Sequence, residues 1–499
     1  MGPYSIPTDV LKLIKSNICY PLKEIINLSF ATGIYPMKLK IARVNPVFKN
    51  KGDPLKFSNY RPISLLSNIN KIFEKLVHSR LYSFLDLHNS IYELQFGFRS
   101  KHSTNHALIS LTENIREALD NGNFACGIFV DLQKAFDTVD HDILLKKLEH
   151  YGVRGRANDW FQSYLSNRQQ LVSINGFESK LQAMKYGVPQ GSVLGPLLFL
   201  IYINDLHNAI KYSTTLHFAD DTNLLAVNES PKKLQKQVNL DLRSLCKWLK
   251  ANKISLNASK TELLIFRHPN KSINYDLKIK INGKKLIPSS FVKYLGILID
   301  CHLNWQAHSN DLATKLSRAI GMLSKIRHYV KFPTLRMIYH GIFSSLLSYA
   351  SQIWGQISSQ TINKLQILQN KALRILTFKP ARTSAGPLFK ECKILKLVDN
   401  VKLQNFLFAY DNLKNNLPSS LKDSFITVEN VHLYETRGVT YKQYKVPTVR
   451  TQIYGVNSIK FKSVSIWNFI NKRFHDLKLH NEKRTFCKSF ITKFLLNEY

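Results

Sequence analysis

The sequence predicts an α+β fold built from several units, and three observations predict it. Short apolar runs of strand length occupy the middle of the chain, at residues 125–132, 215–218, 223–227 and 263–266. Helical periodicity marks the beginning of the chain and returns after residue 305. The length, 499 residues, exceeds what one compact core holds and points to roughly two to four units.

Taken in order, residues 8–31 carry Val10, Leu13, Ile14 and Ile18, then Leu22, Ile25 and Ile26, at helical spacing, with Pro21 as the expected break. Residues 42–48 read as a strand that ends in the turn Lys51-Gly52-Asp53-Pro54. Helices are expected over 68–86 and 105–119. The run 125–132 is a strand with Asp131 near its end. A helix follows over 141–151, with Asp140 as N-cap, Ile143, Leu144, Leu148 and Tyr151 on one face, and Gly152 closing it. Residues 171–174 form a strand and 193–206 a buried helix. The runs 215–218 and 223–227 flank Ala219-Asp220-Asp221-Thr222, a hairpin signal. Then come a helix over 234–249, a strand over 263–266 and a hairpin over 279–287 around Asn282-Gly283. Helices follow at 312–323, 335–349 and 362–376. Beyond about residue 380 the chain is basic and moderately apolar, and no fold is readable.

The charge balance narrows the function. Seventy Lys and Arg oppose 34 Asp and Glu, a net charge of +36. Such a field attracts polyanions, nucleic acid first and anionic membrane second. Hydrophobic residues make up 44% and charged residues 21%, which excludes a disordered chain. The six cysteines form no C-x-x-C pair, which argues against zinc ribbons, zinc knuckles and disulfide frameworks. No signal peptide or myristoylation pattern opens the sequence, and the longest apolar run, 193–203, is broken by Gly195 and Pro196. Cytoplasm or nucleus is expected, with no membrane partner.

The chemistry concentrates in two acidic sites at strand ends: Phe129-Val130-Asp131-Leu132-Gln133-Lys134-Ala135-Phe136-Asp137 and Phe218-Ala219-Asp220-Asp221. If those strands are neighbours, Asp131 and Asp220 converge. Convergent carboxylates without a counter-charge suit Mg²⁺, a hard ion that shares its shell with substrate phosphates. Two such ions can stabilise the attacking and leaving oxygens of a phosphoryl displacement. Alone, Asp220-Asp221 reads better as a polar hairpin tip, because acidic turns are common. Between the two sites lies Gly187-Val188-Pro189-Gln190-Gly191-Ser192, whose glycines permit close backbone approach to a ligand before a helix N-terminus.

This series resembles the reverse transcriptases of non-LTR, jockey-like retrotransposons. Seven blocks carry the resemblance in order over residues 1–380: Arg61-Pro62-Ile63-Ser64, Phe96-Gly97-Phe98-Arg99, Asp131 to Asp137, Gly187 to Ser192, Phe218 to Asp221, Asn257-Ala258-Ser259-Lys260-Thr261 and Tyr294-Leu295-Gly296. It implies a right-hand polymerase: fingers over 1–124, and a palm with an antiparallel sheet over 125–300 that takes a finger insertion at about 153–186. A helical thumb over 301–380 and a basic region of unassigned fold over 381–499 would follow. It implies RNA-directed DNA polymerisation, with an RNA template, a DNA primer, dNTPs and two Mg²⁺ ions (Mn²⁺ substituting), and no small-molecule cofactor besides the metal.

The resemblance also assigns roles. Asp131 and Asp220 would ligate the metals, with Asp221 required beside them. Phe136 would sit under the sugar and exclude a 2′-hydroxyl, with Leu132 beside the nucleotide. Gln190 and Gly191 would meet the nascent base pair and the template. Lys260 would meet the pyrophosphate, and Tyr294, Leu295 and Gly296 would grip the primer. Lys49 and Arg61 would bind the triphosphate on chemical grounds, with Lys51 competing for the role of Lys49. Full-length relatives fuse an endonuclease to the polymerase. The opening Gly2-Pro3-Tyr4-Ser5-Ile6-Pro7 reads as the end of an upstream finger block, so the chain is expected to be N-terminally truncated and to lack the endonuclease. Two rivals remain open: a degenerate nucleic-acid binder, opposed by the intact Asp131, Asp220, Asp221 and Gln190, and an RNA-templated RNA polymerase, opposed by Phe136.

Overall fold

The computed structural model describes residues 6–273, 277–356, 358–422, 425–430, 439 and 442–499; the opening block at residues 2–5 lies outside them. Its centre is a four-stranded antiparallel sheet in the order Thr214–Phe218, Asp221–Asn228, Phe124–Val130, Glu262–Phe266. Every residue of Phe124–Val130 is buried, because this strand is covered on both faces. The faces separate with the period of two that a strand imposes. Ala125 and Phe129 join Leu216, Leu225, Leu264 and Phe266 in one core. Phe124, Cys126, Ile128 and Val130 join Leu224, Ala226, Leu263 and Ile265 in the other.

The second core is filled by the helices His141–His150, Leu194–Ile203 and Pro231–Ala251. Asp140 caps the first of these, its carboxylate accepting from the Ile143 amide at 3.1 Å. Leu194–Ile203 is apolar all round and correspondingly buried. The first core is filled by Thr104–Asp120 and by the helices beyond residue 305.

A second sheet lies outside this frame. Ile41–Phe48 pairs antiparallel with Tyr60–Leu65 and parallel with Arg168–Ile174, which in turn pairs with Gln182–Met184. The 153–186 segment is thus stitched by backbone hydrogen bonds to the N-terminal part of the chain. Within that segment, Arg156–Leu165 is a helix the sequence reading did not anticipate.

The break expected at Pro21 falls elsewhere. Helix Lys15–Thr32 runs through Pro21, and the interruption is at Ile14 (φ −94°, ψ 12°). Pro21 and Asn17 are both exposed, so the Asn17 carbonyl that loses its amide partner is open to water and the helix continues.

After the hairpin Phe291–Tyr294/Ile297–Asp300 the chain is helical: Gln306–Ile326, then Phe332–Tyr339 continuing through a wide turn into Ser345–Ser348, then Ser359–Leu376. The region beyond 380, unreadable in sequence, forms the helices Ala385–Cys392, Leu397–Leu413, Ile459–Arg473 and Arg484–Asn497. These share one hydrophobic core with Trp305, Trp354 and helix Thr104–Asp120. Among the described residues no helix is long and apolar enough to cross a membrane.

Candidate active site

The register of the central sheet brings the acidic residues together. Val130 pairs with Thr222, so the chain leaves the sheet at Asp131 beside the hairpin. Phe218 pairs with Asp221, which leaves Ala219 and Asp220 as a two-residue turn. Ala219 has φ 58°, a left-handed conformation that costs a non-glycine residue roughly 1–2 kcal/mol. Neighbours hold it there. Gln95 Oε1 accepts from the Ala219 amide at 3.0 Å and from the Gly97 amide at 2.8 Å. The Phe96 amide donates to the His217 carbonyl at 2.8 Å, and the His217 amide donates to Leu94 at 2.9 Å. A Cβ on Gly97 would lie 2.3 Å from the Ala219 nitrogen, so the Phe96-Gly97-Phe98-Arg99 block is a brace for the acidic turn.

Asp131 is fixed from its other side. The Asn257 amide donates to the Asp131 carbonyl at 2.9 Å, and the Gln133 amide donates to Ser255 at 2.8 Å. Leu132 is buried and bridges Leu256.

The electrostatics are those of a crowded anionic site. Burial raises the pKa of Asp220, the charge of Asp131 raises it further, and Arg61 partly offsets both. Asp221 is pushed up to about 6 by desolvation, then by Asp220 and Asp131. Its side chain reaches solvent at the rim, which screens part of that repulsion. Hard oxygen donors with excess negative charge fit a divalent cation. Among the described residues no three His, Cys, Asp or Glu side chains form a self-sufficient cage.

The 187–192 loop forms an adjoining wall. Its Gly187 and Val188 amides donate to the carbonyls of Val139 and Phe136 at 2.8 and 2.9 Å. On the other side the Ser64 amide donates to the Gln190 carbonyl at 2.6 Å. Gly191 has φ +113°, and a Cβ there would lie 2.7 Å from the Ser64 oxygen. Phe136 is half-buried, stacked on Phe199 with centroids 4.6 Å apart and edge-on to Phe98 at 6.3 Å.

A family profile described as reverse transcriptase (RNA-dependent DNA polymerase) matches residues 48–299, a span that contains both acidic sites and the loop between them. The chain belongs to the reverse transcriptase family. It is 29% identical over 431 residues to the RNA-directed DNA polymerase from mobile element jockey of Drosophila melanogaster, covering 84% of this chain and 46% of that protein. It is 31% identical over 413 residues to the probable RNA-directed DNA polymerase from transposon BS of the same species, covering 79% and 44%. The chain thus spans about half the length of the curated relatives it matches. The solved apo telomerase of Candida tropicalis superimposes with a TM-score of 0.42 at 13% identity, covering 81% of this chain and 72% of that one. Membership in the family implies dependence on a divalent metal ion.

The remaining expected residues of this reverse transcriptase domain are distributed as follows. Arg61 is exposed on the strand Tyr60–Leu65, near enough to Asp220 for its charge to be felt there. Lys49 Nζ donates to the Ser58 carbonyl at 2.8 Å, and its charge acts on Asp137 rather than on the acidic turn. Lys260 is exposed in the turn after Asn257 and forms no ion pair among the described residues. Leu295 and Gly296 make a tight turn with φ 41° and 88°, braced by the Tyr349 hydroxyl donating to the Leu295 carbonyl at 2.6 Å. Tyr294 lies buried beneath that turn.

Three positioning residues escaped the sequence reading: Gln95, Ser64 and Glu74. Glu74 is fully buried and accepts from the Val193 amide at 2.6 Å and the Tyr164 hydroxyl at 2.7 Å, tying the 187–192 loop to helix Asn68–Leu87. Ser64 lies in one of the seven blocks, and Gln95 directly precedes another. Block membership could have marked Ser64; Gln95 and Glu74 lie outside the blocks and carry no such signal.

Proposed function

We propose that the chain is an RNA-directed DNA polymerase of the non-LTR retrotransposon kind. It extends a DNA primer by copying RNA and takes dNTPs as substrate. The observation that carries this reading is the adjacency of Asp131 to Asp220-Asp221 across the Val130–Thr222 register, with the carboxyl pKa values of Asp220 and Asp221 both raised. Groups that repel one another at neutral pH are best explained by a cation they share. In this reading residues 1–124 together with 153–186 act as fingers. The rest of 125–300 is the palm, 301–380 the thumb, and 381–499 a buttress for the palm.

Asp131 and Asp220 hold the metals, with Asp221 beside them. A pair of Mg²⁺ ions bound there would supply Lewis acidity at the attacking and leaving oxygens. The protein's part is placement. Arg61 clamps triphosphate oxygens, bidentate and permanently charged. Lys49 and Lys260 add charge around the triphosphate and pyrophosphate. Phe136, held between Phe199 and Phe98, presents a rigid ring under the sugar and leaves no room for a 2′-hydroxyl, with Leu132 at its side. Gln190 and Gly191 lie against the nascent pair, their backbone immobilised by Ser64. Leu295 and Gly296, on the turn above Tyr294, hold the primer end. Positioning and electrostatics of this kind supply most of the acceleration in phosphoryl transfer.

Primer extension on poly(rA)/oligo(dT) with Mg²⁺ tests the reading: dTTP is incorporated and UTP is not. Well-folded protein that incorporates neither would contradict it, and equal use of both would refute the role of Phe136.

A further inference from the structure

Tyr294 presents a feature that packing alone does not explain. Its side chain is 5% exposed, and its hydroxyl has no hydrogen-bond partner among the described residues. Phenylalanine would fill the same space without leaving a polar atom unpaired, and buried polar atoms are nearly always paired. The Tyr294 ring lies against Phe129, centroids 5.3 Å apart. Phe129 stands two residues before Asp131 on the central strand and pairs with Asn223, two residues after Asp221. The ring therefore runs along the floor of the acidic site. Burial first, and then the charge of Asp221, which reaches the hydroxyl, raise its pKa above the ordinary tyrosine value. The backbone cannot release the ring easily, because Tyr349 anchors the following turn at Leu295.

We infer that Tyr294 is a positioning residue for Asp221. Its hydroxyl donates a hydrogen bond to the Asp221 carboxylate when cations occupy the site, and so fixes which oxygen faces the metal. The inference rests on the polymerase reading above. A donor that hydrogen-bonds a metal-binding carboxylate orients it and tunes its affinity for the ion. Asp221, at the exposed rim and repelled by two neighbours, has more need of one than Asp131, whose backbone is tied to Asn257.

Tyr294→Phe tests it with two independent readouts. The first is Mn²⁺ affinity by electron paramagnetic resonance without nucleotide. We expect about a tenfold weakening, the size of one charge-assisted hydrogen bond, with an unchanged or higher melting temperature in metal-free buffer. The second is extension: kcat falls about tenfold with KM for dTTP unchanged, and raised Mg²⁺ recovers part of the loss. In an Asp221→Asn background the same substitution should add nothing. Mn²⁺ affinity and kcat both within twofold of wild type, or a full additive loss in that background, would overturn the inference. Wild-type protein without extension activity would instead contradict the polymerase reading, and the Mn²⁺ measurement would still decide the role of Tyr294.

Discussion

The side-chain carbonyl of Gln95 accepts the Ala219 amide at 3.0 Å and the Gly97 amide at 2.8 Å, which fastens the acidic turn to a loop more than 120 residues away in sequence. Gln95 is itself buried. Gln95→Leu keeps the size but leaves two amides unpaired, at a cost on the order of 2–4 kcal/mol. Thermal melts should show the loss of stability. Extension should fall more than tenfold even where the variant is fully folded, because Ala219 is no longer held left-handed. Wild-type activity in the folded variant would show that the turn needs no brace.

Glycine substitutions should separate the loop from the scaffold. A Cβ on Gly191 meets the Ser64 oxygen at 2.7 Å in a backbone conformation that side chains rarely adopt. A Cβ on Gly321, inside helix Gln306–Ile326, meets nothing within 4 Å. Gly191→Ala should cut extension about tenfold or more by displacing Gln190. Gly321→Ala should leave activity unchanged and raise stability by up to about 1 kcal/mol, the helix-propensity difference. Steady-state extension and melting temperatures on the two variants check this.

His217 should make stability acid-sensitive. It is buried in the strand Thr214–Phe218, with Nδ1 3.0 Å from Thr222 Oγ1 and Tyr92 edge-on at 5.8 Å. Burial, then the charge of His207, pushes its pKa down to about 3. Above pH 6.5 neither the folded nor the unfolded chain protonates it, and its contribution is fully present. As pH falls toward 3 the unfolded chain takes up a proton the folded chain refuses, and stability is lost by up to about 1.4 kcal/mol per pH unit. His217→Gln should show a shallower fall of melting temperature between pH 6.5 and 4.5. Parallel slopes would mean the imidazole is not kept neutral.

Much of this was legible in the sequence, for a physical reason. Strands 124–130, 214–218, 221–228 and 262–266 each alternate or run apolar between polar turns, and helices 68–87, 104–120 and 231–251 carry one apolar stripe. The acidic residues stand at strand ends, where sequence order and spacing survive folding. Other features depend on tertiary partners. Helix Leu397–Leu413 buries Asp399 and Asn405 as well as Phe406, Leu407, Phe408 and Tyr410, so it has no polar face to set a period. Local rules read Pro21 as a break because they cannot tell that the Asn17 carbonyl it orphans faces water. Gln95 and Glu74 are single buried polar residues, and their partners Ala219 and Val193 lie more than 100 residues away.

The C-terminal region should be inseparable from helix Thr104–Asp120. Glu113, on helix Thr104–Asp120, accepts from the Ile459 and Lys460 amides at 3.0 and 3.1 Å, capping helix Ile459–Arg473. Asp120 accepts from Arg450 and from the Thr451 amide and hydroxyl at 3.0, 2.7 and 2.6 Å. Glu113→Ala and Asp120→Ala should each cost about 1–3 kcal/mol. Melts should remain single transitions, and a chain ending at residue 380 should be insoluble because its core is laid open. A soluble, active 1–380 fragment would contradict this.

The central claim is that Asp131 and Asp220 work on one shared divalent-metal site. Single-turnover extension with Mg²⁺ on wild type, Asp131→Asn, Asp220→Asn and the double variant tests it most directly, with folding checked by thermal melt. The account predicts that each single change costs at least about a thousandfold and that the double variant is little worse than either, as for groups that act as one unit. Extension by either folded single variant within tenfold of wild type, or losses that multiply in the double variant, would contradict it.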